Sequence, residues 1–120
     1  MTNLMNYFLI LFQVVINTAA QLLLKSGAKS LDFTQSPMTI FMSMIGNLYI
    51  WGGGLIFVIS FLLWLYLLNQ FELSFLYPFG SLAFVLAAVG GWFFFSESLN
   101  FYRIFGILAI FIGVIFVAKS

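Results

Sequence analysis

The side chains able to do chemistry in this 120-residue chain are few, and several lie on one periodic track. Gln13, Asn17, Gln21 and Lys25 recur at every fourth residue. A helical step of four residues turns ~400°, so the track drifts by only ~40° per step. Amides within a membrane are costly unless they meet partners in protein or water. Two readings answer that cost. Either the track lines a hydrated groove with Lys25 as a cation at its mouth, or the amides bond to neighbouring helices as glue. Three amides in register followed by a lysine favour the groove. Asn6 precedes them on the same segment.

A second polar group surrounds Pro78, which has no N–H and is expected to disrupt the first turn of its helix. That would free a carbonyl near the membrane surface and let Ser74, Tyr77 and Ser81 face one region. Tyr77 is equally readable as an aromatic-belt anchor. Glu72, Glu97 and Arg103 lie at span ends, as candidate proton or charge sites. Interfacial solvation is the plainer reading of both carboxylates. Gly106, Ala109 and Gly113 form a small-residue seam suited to packing against another helix, for which a second subunit is a candidate.

The elements that hold these groups follow from composition. Of all residues 64% are hydrophobic, 21% aromatic and only 6% charged. Soluble domains run near a quarter charged, and so little polar surface cannot cover a 120-residue globule. A soluble enzyme is excluded. Four Lys/Arg against three Asp/Glu leave no basic patch for nucleic acid. With neither histidine nor cysteine, imidazole and thiolate chemistry are absent. No metal site, cofactor or nucleophile–base pair is expected, so the chain is not read as an enzyme.

A spanning helix takes about 20 apolar residues, and four stretches qualify: 7–24, 48–68, 75–95 and 101–118. The turns at 69–72 and 96–100 are short and polar, which forces antiparallel neighbours. The expected fold is an all-α membrane protein, a single antiparallel bundle of four transmembrane helices over residues 1–120. Residues 37–47 are apolar but too short to span. They form either a short interfacial helix, the favoured reading, or an outward extension of the second span. Ser36 and Pro37 suit its N-cap and first position. The start of the chain lacks the basic residues of a signal peptide, so the first span is expected to be retained. Lys25, Lys29 and Arg103 flank the first and third loops against Lys119 at the C-terminus, a thin bias toward both termini outside.

These residues also carry a resemblance. The run NTAAQLLLKSG at 17–27 is similar to the first-helix ending of the drug/metabolite transporter superfamily. Leu76-Tyr77-Pro78 followed by Ser81-Leu82 resembles the start of its third helix. The stretch 93–99, containing Glu97, resembles its aromatic-Glu-Leu turn. Residues 106–114 resemble the dimerising last helix of the small multidrug resistance proteins. Those exporters rely on a first-helix glutamate that exchanges protons for a cationic substrate. Aligned on Lys25, that position is Asn17, which cannot ionise near neutral pH. The other four-helix branch resembles flippase subunits of aminoarabinose-phosphoundecaprenol, sharing Ala20-Gln21, Lys25 and Tyr77-Pro78.

The resemblance implies a multi-pass protein of the bacterial inner membrane. Its expected role is to move a lipid-linked sugar, such as a polyprenyl-phosphate sugar, or a related polar metabolite. Gln13, Asn17, Gln21, Lys25, Tyr77 and Ser81 are the expected substrate contacts, with Lys25 or Arg103 pairing with phosphate. Expected partners are membrane lipids and a second subunit, as a homodimer or a heterodimer with a similar small chain. The alternatives are proton-coupled export of cations through Glu72 or Glu97, and an accessory subunit of a larger membrane complex.

Overall fold

The computed structural model describes residues 2–120, and among these it contains six helices and no strand. They are α1 (Thr2–Ala28), α2 (Pro37–Ile45), α3 (Leu48–Gln70), α4 (Leu73–Gly80), α5 (Leu82–Phe95) and α6 (Phe101–Ala118). Four segments are long and apolar enough to cross a membrane: Leu4–Ala28, Leu48–Gln70, Leu73–Phe95 and Phe101–Ala118. Large apolar side chains cover the outside, among them Phe8, Leu62, Phe93 and Phe105. In water such a surface would aggregate; against lipid tails it is solvated. The expected all-α membrane fold is observed, and the chain is a multi-pass membrane protein.

Helices α1 and α3 are antiparallel and form the most extensively packed pair. Near one end the Tyr66 hydroxyl donates to Asn6 Oδ1 at 3.4 Å, and midway Gln13 Nε2 donates to the Ser60 carbonyl at 3.3 Å. Toward the other end the two backbones close up at Gly53. A Cβ there would sit 3.0 Å from both the Ala20 carbonyl oxygen and the Leu24 nitrogen. The main apolar core lies toward the first end, where Ile10, Leu67, Leu76, Phe79 and Val114 meet. Helix α6 packs on α4 and α5, and Val114 is its single buried residue.

Residues 37–45 form a helix separate from the second span. Ser36 Oγ accepts from the Thr39 N–H at 3.3 Å, and Pro37 opens the first turn. Gly46 ends α2, and Asn47 starts α3 anew. Its Oδ1 accepts from the N–H groups of Tyr49 and Ile50, while its Nδ2 donates to the Gly27 carbonyl at 3.1 Å. Asn47 thus caps one helix and ties it to the end of another, which is why the chain breaks here.

The third span is interrupted. Pro78 sits inside α4, and the break falls at Ser81 rather than in the first turn. The N–H that Pro78 lacks would have bonded the Ser74 carbonyl one turn back, so the proline weakens α4 from within while the chain turns after it. The chain then tightens locally: Ser81 N–H donates to the Pro78 carbonyl and Phe84 N–H to the Ser81 carbonyl, both at 3.0 Å. The Ser81 hydroxyl also bonds the Pro78 carbonyl, so that carbonyl is doubly engaged.

Candidate functional site: an uncharged cavity among α1, α3 and the broken span

Midway along the bundle a cavity of about 300 Å³ opens between α1, α3 and the α4–α5 break. Gln13 and Asn17 come from α1, Ser60 and Trp64 from α3, and Tyr77 and Ser81 from the broken span. Phe57, Phe61 and Phe84 complete the wall, and each is exposed on the lipid-facing surface. The cavity therefore opens sideways toward the bilayer. None of its lining side chains is charged.

Each polar group has a definable state. Gln13 is buried and uses one amide hydrogen on the Ser60 carbonyl, leaving its oxygen and a second hydrogen. Asn17 is half-buried, and its amide makes no hydrogen bond among the described residues. The Ser60 hydroxyl donates to the Phe57 carbonyl at 2.9 Å, which leaves its lone pairs able to accept. Trp64 and Tyr77 meet edge-to-face with ring centroids 5.9 Å apart, holding both rings at the cavity wall. Gly80 borders the Trp64 ring and leaves room for it.

Four of the six residues read as substrate contacts (Gln13, Asn17, Tyr77 and Ser81) meet at this cavity. Gln21 and Lys25 do not. Over three steps the ~40° drift accumulates to ~120°, so the far end of the track faces elsewhere. Gln21 is exposed. Lys25 Nζ lies 2.7 Å from Glu97 Oε2, joining the end of α1 to the α5–α6 turn. Ser74 also leaves the group: it lines a separate cleft with Glu72, Tyr7 and Ser120 at the opposite end of the bundle. Arg103 donates from a guanidinium nitrogen to the Ser98 carbonyl at 2.8 Å. A Cβ on Gly106 or Gly113 would meet nothing within 4 Å, and Ala109 is exposed, so this seam faces away from the rest of the chain.

Ser60 and Trp64 escaped the sequence reading. Ser60 is the one Ser or Thr in α3, and Phe57 and Trp64 lie three and four residues from it, on the same face of the helix. That isolated hydroxyl with an aromatic one turn away was a usable signal.

Residues 45–119 match the EamA-like transporter family, more than half of the chain. The chain belongs to that family. The resemblance to drug/metabolite transporters is thereby borne out. This EamA-like chain is 29% identical over 115 residues to a protein of Hamiltonella defensa named a probable 4-amino-4-deoxy-L-arabinose-phosphoundecaprenol flippase subunit. The match covers 96% of this chain and 97% of that protein. A protein of Aeromonas hydrophila bearing the same name is 41% identical over 54 residues, 45% of this chain and 47% of its own length. No solved structure matches.

Proposed function

We propose that this EamA-like chain carries the sugar head group of a polyprenyl-phosphate lipid across the bacterial inner membrane, as one of two small subunits. The carrying observation is the unbonded Asn17 amide in an uncharged, laterally open cavity walled by Trp64 and Tyr77. A sugar presents hydroxyls that both donate and accept. The amides of Asn17 and Gln13 do the same, and the Ser60 and Ser81 oxygens accept. Its C–H faces stack on aromatic rings, here Trp64 and Tyr77. The volume lies at the small end of ligand pockets, about 300–1,000 Å³, as suits one monosaccharide. An opening toward lipid lets the head group enter while the hydrocarbon tail stays in the bilayer. A relative is named a probable flippase subunit for an aminoarabinose lipid, which supports this substrate class.

Cation export by proton antiport is less well supported. It needs a carboxylate that titrates near neutral pH, and the cavity contains only amides and hydroxyls. Glu97 is held below the ordinary glutamate value, first by the hydrogen bond from Lys25, which moves it away from neutrality.

The test is head-group translocation in membrane vesicles from cells expressing the chain. Asn17→Ala removes one neutral hydrogen-bonding group and is expected to slow translocation about three- to tenfold. Asn17→Leu, which also fills the space, should abolish it. Gln21→Ala, on the exposed face, should leave it near normal. Normal translocation by both Asn17 variants would overturn the cavity as the site.

A further inference from the structure

At the end of the bundle away from the apolar core, three cations gather around one carboxylate. Lys25 Nζ pairs with Glu97 Oε2 at 2.7 Å and also lies 5.7 Å from the centre of the Phe95 ring. Lys29 Nζ lies 4.9 Å from the centre of the same ring. Arg103 reaches the carbonyl of Ser98, the residue after Glu97. The other carboxylate on this side, Asp32, is turned onto its own loop, accepting from the N–H and hydroxyl of Thr34 and from Gln35. Glu97 alone therefore answers Lys25, Lys29 and Arg103, and the cluster keeps an excess of positive charge.

Glu97 is placed there by the backbone. Ser96 adopts the left-handed conformation at φ 56°, and the Glu97 N–H reaches back to the Gly91 carbonyl at 3.2 Å. The carboxylate then lies over Gly91, where any Cβ would collide with it. The pair is half-exposed, with side-chain accessibilities of 50% and 40%, so water and solutes reach it. An ion pair at such a surface is weak and exchangeable.

We propose that Lys25, Lys29 and Arg103 form a phosphate-binding station, and that Glu97 is an internal competitor which occupies Lys25 until a phosphate displaces it. A phosphate monoester brings up to two negative charges and three acceptor oxygens where Glu97 brings one charge. It can engage several of the cations at once; Glu97 bonds only Lys25. Phe95 keeps two lysines beside one ring and so limits the ordering needed on binding. Lys25 lies eight residues beyond Asn17 on α1, ~12 Å along the axis. The station and the cavity are therefore separate places on α1. Taking that monoester to be the carrier lipid without its sugar, because the sugar-linked form is a diester with a single charge, rests on the function proposed above; the station itself does not.

The experiment measures phosphate binding without translocation. The purified full chain is titrated with inorganic phosphate in neutral detergent. In a second arm it is reconstituted in nanodiscs of phosphatidylcholine with or without phosphatidic acid, and binding is followed by tryptophan fluorescence. Glu97→Gln frees Lys25 and is expected to tighten binding about two- to fivefold. Glu72→Gln makes the same change in net charge at the opposite end and should leave affinity unchanged. Lys25→Gln in the Glu97→Gln background should remove the gain, with Lys29→Gln and Arg103→Gln weakening what remains. Binding in both arms or in either supports the station, and the arm that binds identifies a lipid or a soluble source. No binding in either arm, no gain in Glu97→Gln, or an equal gain in Glu72→Gln overturns it. Because Asn17 variants are read by translocation and these by binding, either proposal can fail without the other.

Discussion

Glu97 is the side chain at which the two proposed transport chemistries predict different behaviour. Its pKa is lowered by the Lys25 hydrogen bond, against the opposing effect of desolvation, and further by the charges of Lys25, Arg103 and Lys29. A depressed carboxylate adds stability that is fully present above the ordinary value of 4.5 and is lost as pH falls through the lower folded value. The difference in unfolding temperature between the wild type and Glu97→Gln should therefore be flat from pH 9 to about pH 6. It should shrink only in acid below about pH 4.5. Circular dichroism melts in detergent across that range check this. A change centred near neutrality would mean that the carboxylate titrates where a proton-coupled exporter needs it.

Among the elements, the α1–α3 hairpin sets the geometry on which the cavity depends. Gly53 lets the backbones approach, and a Cβ there meets the Ala20 carbonyl and Leu24 nitrogen, atoms that no rotamer change can move. Gly53→Val is expected to cost about 1–3 kcal/mol through overpacking. Gly54, one position on, has nothing within 4 Å of an added Cβ. Gly54→Ala should be neutral or stabilising by up to about 1 kcal/mol, since alanine is the better helix former. Thermal unfolding of the two variants side by side checks the contrast, and equal losses would contradict the close approach. The broken third span complements the hairpin. Because α4 ends at Gly80 and α5 begins at Leu82, Tyr77 and Ser81 reach the same cavity as Gln13 and Asn17.

At the scale of the whole molecule, the outermost helix is open on one side. Helix α6 presents Gly106, Ala109 and Gly113 on a face that this chain leaves uncovered. Small residues on a membrane helix allow close approach of another helix, so we propose this face as the dimer contact, with a second copy or a similar small subunit. Replacing Gly106 and Gly113 together by Leu should shift the protein from dimer to monomer in cross-linked native membranes. The unfolding temperature of the monomer should stay unchanged, because no atom of its own lies where the new side chains begin. A dimer that persists in the double variant would move the contact elsewhere.

Much of this protein is determined by sequence alone, because membrane insertion is a matter of composition and length. Four apolar stretches, polar breaks between them and seven charges kept to their ends dictate an all-α membrane bundle without any tertiary argument. The family is legible too, since Asn17 through Gly27 and Tyr77-Pro78 are local strings. Which polar residues share a site is another matter. The four-residue track reads as one stripe, yet its drift sends Gln21 outward and Lys25 to Glu97, 72 residues away along the chain. Ser60 and Trp64 join Asn17 only because α3 folds back along α1, and the break in the third span falls at Ser81, beyond Pro78 rather than in the first turn. Periodicity describes one helix at a time; a site between helices is decided by which faces pack together.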